Sequence, residues 1–216
     1  MLSASEIAAL HDQLTRAWHH VPGGPVEDVP PSAGPNPDPG SNLGWLGSVA
    51  RHHRANFDLW HIEDEARIPG ATDAKVAGVK RRVDGTNQLR NDLAEELDRA
   101  LLGWLEARGL TNPAAQLHSE SPGLIIDRLS ILALKIYHTR EESERADAPP
   151  GHAARNQDRL AILEQQREEL AGCLDGFWRE TLAGTRRFKL YRQLKMYNDP
   201  SLNPAIYRQP IIESSR

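Results

Sequence analysis

Asp127, Arg128, Lys135 and His138 are set into the stretch Ser119–Glu142, SESPGLIIDRLSILALKIYHTREE, which otherwise reads as a helix apolar on nearly every side. Such a helix belongs in a core, where an ionised group without a partner costs several kcal/mol. Opposite charges, hydrogen bonds or a ligand must therefore come to these side chains. Asp127 and His138 are 11 residues apart and lie almost on one meridian, while Arg128 and Lys135, seven apart, form a neighbouring line. Roughly two to three turns separate the members of each pair, so each looks to another helix, with Arg67, Arg90, Glu63 and Asp64 as the candidates. Carboxylates and imidazole are the usual proton carriers, which makes Glu63, Asp127 and His138 the candidate catalytic groups. Read structurally, pairs of the type Asp127–Arg90 or Glu63–Arg128 would fix helix register.

Two further segments carry the matching polar positions. In Asn42–Arg67, the residues Leu46, Val49, His53, Asn56, Trp60, Glu63 and Arg67 fall on one stripe by steps of three and four, with Asp64 beside it. In Asp73–Arg108 an apolar stripe, Val76, Val79, Val83, Leu93, Leu97, Leu101 and Trp104, is interrupted by Thr86 and Arg90. Lys80, Asp84, Asn87, Asn91 and Asp98 adjoin it. Arginine between two asparagines in an apolar seam is the pattern of a buried polar layer. The candidate ligand contacts are thus Asn56, Trp60, Asp64, Arg67, Asn87, Arg90, Asn91, Arg128 and Lys135.

These positions need helices to hold them. An opening helix is expected from Ser3 to His20, followed by Pro22–Gly40, which contains seven of the 15 prolines and excludes both helix and strand. Long helices follow over Asn42–Arg67, Asp73–Arg108, Ser121–Arg145 and Ala153–Leu182, with a shorter one over Arg186–Asn198. Ser121 before Pro122 is a start signal, the serine side chain capping the helix. The expected fold is all-α: an antiparallel bundle of five or six helices with a buried polar layer and no sheet. Residues 1–41 form an opening helix and Pro/Gly-rich loop, 42–207 the bundle domain, and 208–216 a tail.

The formal charge of −4 makes nucleic acid an unlikely partner, and no run suits a membrane span or signal peptide. A single cysteine, Cys173, excludes an intrachain disulfide and fits a reducing, cytoplasmic setting; it sits in an apolar run with Leu170, Leu174 and Phe177 and reads as core. Arg186, Arg187, Lys189, Arg192 and Lys195, interleaved with Phe188, Tyr191 and Tyr197, form a basic segment in which Lys195 and Tyr197 are further ligand candidates. The same charges would complement a helix dipole. His61, Glu65 and Asp58 share a face, but no paired Glu-x-x-His or His-Glu-x-x-His element occurs, and no metal site is expected. The pairs His19–His20 and His52–His53 read as surface residues. Without a phosphate loop, nucleophile elbow or dinucleotide fingerprint, no cofactor is expected.

Taken in order, NFDLWHIEDEAR, NQLRND, SESPGLIIDRLSILALKIYH and KMYNDPSLNP resemble a bacterial family known as domain of unknown function 4254, over Leu43–Tyr207. The resemblance implies that Asn56, Trp60, Glu63, Asp64, Arg67, Asn87, Arg90, Asn91, Asp127, Arg128, Lys135, His138, Lys195, Asn198 and Asp199 are characteristic positions. It implies no activity, only an association with cell-envelope glycan assembly; envelope glycan or secondary metabolism is the expected setting. The expected function is an enzyme or accessory that binds an anionic small molecule, such as a sugar phosphate, nucleotide sugar or small acid, in the polar layer. The alternative is a non-catalytic scaffold that meets a protein partner through 22–41 or 186–197.

Overall fold

The computed structural model describes residues 3–20, 42–194 and 200–204. Nearly all of this is five helices: α1 Ala4–His20, α2 Asn42–Ala66, α3 Asp73–Glu106, α4 Pro122–Glu144 and α5 His152–Leu182. Their boundaries agree with the sequence pattern to within one or two residues, and the architecture is an all-α bundle. None of the described helices is long and apolar enough to cross a membrane.

All five helices feed one apolar cluster, to which Ile7, Val49, Leu97, Ile126, Leu129 and Leu174 contribute fully buried side chains. A second cluster joins Leu14, Trp18, Ala50, Phe57 and Leu134. The opening helix is thus part of the bundle core, packed on α2, α4 and α5. Asp12 fastens it to α5 through two 2.8 Å bonds from Arg167, and its first amide donates to Asp175 Oδ1 at 2.9 Å. Among these apolar side chains, α1, α2 and α4 also bury polar ones: His11, Thr15, His52, His53, Asn56, Asp127 and Ser130.

Several expectations fail, among them the absence of any sheet. The helix expected over Arg186–Asn198 is not found in its described part: Arg186–Arg187 is instead a strand, β2, paired in parallel with β1, Gln116–Leu117. The reason lies in the end of α5. Gly184 adopts φ +71°, its amide bonds Thr181 O and the Thr185 amide bonds Glu180 O, a left-handed cap that turns the chain back. Phe188 then buries against Phe177, which holds the segment extended across the bundle. Cys173 is exposed, since the buried face of α5 runs through Leu174, Phe177 and Trp178. The apolar stripe of α3 becomes buried only from Val79; Val76 stays exposed on the first turns of the helix.

The start of α4 is capped from another helix. Ser121 makes no side-chain bond to its own helix; its hydroxyl donates to the Asp98 carboxylate of α3, whose Oδ1 accepts the Gly123 amide at 2.7 Å. Burial pushes the Asp98 carboxyl up to about 6, against the pull of the Ser121 and Gly123 bonds. The folded state therefore holds this proton more tightly than the unfolded chain, whose aspartate titrates near ~3.9. Its stabilisation is full below that value and is lost as pH rises through 6. Asp98→Asn should accordingly be more costly, relative to wild type, at pH 4.5 than at pH 7; equal melting-temperature differences at the two pH values would contradict this assignment.

At the same crossing α4 presses on α3 through a residue with no side chain. A Cβ at Gly123 would sit 2.5 Å from Ala94 O and 2.9 Å from Asp98 Cγ, whereas one at Gly85 would meet nothing within 4 Å. Gly123→Ala is expected to destabilise by about 1–3 kcal/mol through overpacking. Gly85→Ala should stabilise by about 0.5–1 kcal/mol. Chemical denaturation of the two variants reads the contrast directly.

Candidate functional site

The polar layer centres on Asp127, buried in α4. Arg90 of α3 reaches it with a two-pronged grip, Nε to Oδ1 at 2.8 Å and Nη2 to Oδ2 at 2.7 Å. From α2, His52 Nε2 and Asn56 Nδ2 each lie 3.0 Å from Oδ1. Beside an ionised carboxylate the His52 nitrogen must be the donor. Asn56 Nδ2 also donates to Ser130 Oγ at 3.0 Å, Ser130 Oγ is 2.7 Å from His53 Nδ1, and His53 Nε2 is 2.9 Å from Thr15 Oγ1 of α1. One continuous chain of polar contacts thus crosses four helices.

Burial alone would raise the Asp127 carboxyl, but the bonds from His52 and Arg90 and their positive field outweigh it and hold the group far below the usual carboxylate range. Its stabilisation is therefore full above the unfolded value near ~3.9 and is lost as pH falls towards the folded value. Both oxygens are engaged and the group stays ionised, so the geometry makes Asp127 a fixed acceptor, without a proton to exchange at neutral pH. His53 is pushed down to about 3 by burial and by the field of His52, despite an opposing bond to the His11 backbone. His11 stacks on His53 with ring centroids 4.4 Å apart, and burial drives it well below its ordinary value too.

A cleft of about 270 Å³ opens beside this layer, between α2, α3 and α4. Asn56, Trp60, Glu63, Asp64, Arg67 and Arg90 line it together with the apolar Leu59, Ile131 and Leu134. Six of the residues expected in the site from sequence therefore share one surface. Arg67 holds Glu63 at 3.0 Å and Asp64 at 3.4 Å along its own helix. Among the described residues the third Arg90 nitrogen, Nη1, makes only a 3.4 Å contact, to Asn87 Oδ1.

Other expected residues lie elsewhere. Arg128 and Lys135 are exposed on another face of α4, where Arg128 pairs with Glu120 rather than Glu63. The reason is angular: only the line through Asp127 and Ser130 faces α2, and one position further on the helix points outward. Asn91 is half-buried outside the cleft lining. Lys195, Tyr197, Asn198 and Asp199 fall outside the described residues.

Four residues of the network were missed or misplaced by sequence reasoning. His52 and His53, read as surface, are fully buried, and Thr15 and Ser130 complete the chain. The signal for His53 was available, because it falls on the stripe with Val49 and Asn56. His138 finds a carboxylate on its own helix, Glu141 at 3.0 Å, and not on a neighbour. It also meets His19 and His61: one ring nitrogen from each lies within 4.8 Å of the other two. The Asp58, His61 and Glu65 face dissolves into separate pairs, Asp58 with Arg54 and Glu65 with Arg82.

Fold and layer define a helical bundle with a buried arginine–aspartate–histidine network beside an open cleft. The chain belongs to the family described as Protein of unknown function (DUF4254), which matches residues 47–190 and so takes in most of α2 and all of α3 to α5, including Arg90 and Asp127. No curated protein and no solved structure matches the chain.

Removing Arg90 alone strands a buried charge, whereas removing both partners does not. Arg90→Met should cost about 3–5 kcal/mol, and Arg90→Met/Asp127→Leu less than Arg90→Met. Urea unfolding of both variants checks the order; a double variant worse than the single would show that Asp127 is held mainly by His52 and Asn56.

Proposed function

We propose that the cleft binds a small molecule with an anionic group and an apolar or flat portion, and that the protein serves as an enzyme or as an accessory to one. The observation that carries this reading is the convergence of Trp60, Arg67 and Arg90 on one concave surface floored by Leu59, Ile131 and Leu134. Concave apolar walls with a few placed polar groups are the usual make-up of a ligand site. Arg90 keeps one nitrogen weakly held, and Arg67 is exposed enough to turn from its neighbouring carboxylates towards a ligand. Glu63 and Asp64 are both accessible carboxylates of the cleft, and Glu63 is the candidate proton carrier there.

Size narrows the choice. A volume of about 270 Å³ sits at the small end of ligand sites. It suits a small acid or a monosaccharide phosphate better than a whole nucleotide sugar. Envelope glycan or secondary metabolism, the expected setting, supplies such compounds. The scaffold reading draws less support: Arg186 and Arg187 are engaged with Glu180 and Ala115 O, and Phe188 is core.

A thermal-shift screen with sugar phosphates, small dicarboxylates and nucleotides tests the reading. A ligand at a hundred times its Kd adds about 2.7 kcal/mol, which for a chain of this length is roughly 5–10 °C. The shift should vanish in Trp60→Ala and in Arg67→Ala, both on the open wall, with far-UV CD retained. A flat wild-type panel, or a shift that persists in both variants, would remove the cleft from consideration.

A further inference from the structure

We propose that His19, His61 and His138 form a binding site for a divalent transition-metal ion of borderline softness, Zn²⁺ being the ion it suits best. The three residues come from α1, α2 and α4, and one ring nitrogen of each lies within 4.8 Å of the other two. Three imidazoles around a tetrahedral Zn²⁺, at Zn–N of about 2.0–2.1 Å, place their nitrogens roughly 3.3 Å apart. Binding an ion would draw the three nitrogens inward by that difference.

What singles the cluster out is the state of the other nitrogens. His19 Nδ1 bonds Thr15 O at 2.7 Å, His61 Nδ1 bonds Phe57 O at 2.8 Å, and His138 Nδ1 bonds Glu141 Oε2 at 3.0 Å. A carbonyl or carboxylate oxygen can only accept, so all three rings carry a proton on Nδ1. In the neutral ring the lone pair is then on Nε2, which is the electron pair a metal takes. Metal-bound histidines are held in just this way, the second nitrogen donating to a carbonyl or carboxylate. The Nε2 atoms of His19 and His138 are buried and have no hydrogen-bond partner among the described residues.

Ring stacking accounts for part of the arrangement, since Tyr137 lies on His19 and Trp60 on His138. Stacking sets the planes of the rings; it does not explain why all three Nδ1 atoms are tied back while Nε2 of His19 and of His138 is left over among the described residues. Three neutral nitrogen ligands leave a fourth position open, the pattern of a reactive rather than a closed structural centre. Trp60 and Asp64, which line the cleft, flank His138: Trp60 by stacking and Asp64 by its charge. The metal would thus lie at the end of the cleft away from Arg90. The site stands on its own geometry and does not rest on the cleft's ligand.

The test uses the full, tag-free chain stripped with a chelator and titrated with Co²⁺ and Zn²⁺. The expected result is one ion per chain, with the visible absorption of four-coordinate Co²⁺ and its displacement by Zn²⁺. His61→Ala and His138→Ala should weaken Zn²⁺ binding about 100-fold or more, and Glu141→Gln, which removes the carboxylate behind His138, about 10–100-fold. His20→Ala, an exposed neighbour on α1, should leave binding unchanged. The proposal is overturned if wild type shows no saturable Zn²⁺ binding at micromolar concentration, or if folded His61→Ala and His138→Ala bind as wild type does. Should either histidine variant fail to fold, Glu141→Gln with unaltered affinity and spectrum overturns it equally.

Discussion

A carboxylate ionised inside the bundle is the constraint from which the rest follows. Asp127 is buried among aliphatic residues of α4, where an isolated charge would be ruinous. It is tolerable because four donor contacts from α2 and α3 converge on it, two of them in the fixed fork of one guanidinium. The fork has direction as well as strength. Arg90 can meet both oxygens only if α3 sits at one height and rotation against α4, and His52 and Asn56, one turn apart, impose the same condition on α2. A layer of this kind specifies register more than it adds net stability.

The same demand shapes the surroundings. Ser130, one turn from Asp127, extends the network to His53, and Thr15 extends it to α1, so the opening helix is tied into the layer as well as into the apolar clusters. The crossing of α3 and α4 is kept close by Gly123 under Asp98, a contact that also replaces the missing serine cap. Because Arg90 is drawn inward, α2, α3 and α4 leave a cleft above it that retains one of its nitrogens and the ring of Trp60. The three-histidine cluster lies roughly 16 Å further along α4, counting 11 residues from Asp127 to His138. Cleft, network and cluster are therefore arranged along one helix.

Much of this was legible in the residues. Period-3.6 apolar stripes, proline and glycine punctuation, and a Ser-Pro start located all five helices, and arginine interrupting the α3 seam pointed to its partner Asp127. These signals are local, or depend only on which face of a helix is apolar. Whether a buried-looking charge faces inward was not legible, as Arg128 and Lys135 show: in a helix apolar on nearly every side the pattern does not tell which side the neighbours leave open. His52 and His53 show the converse, since two adjacent polar residues look like surface until partners are known from two other helices, α1 and α4.

The sequence by itself determined the helical class, the element boundaries and the need for a charge partner near Arg90, because these follow from backbone preferences and the cost of burying ions. Only the tertiary structure decided which residues meet. His19, His61 and His138 are scattered over more than half the chain and share no spacing motif; they converge because α1, α2 and α4 come together at one end of the bundle. The turn after α5 was likewise a tertiary decision, since burying Phe188 against Phe177 held a segment extended that its own composition would have let coil into a helix.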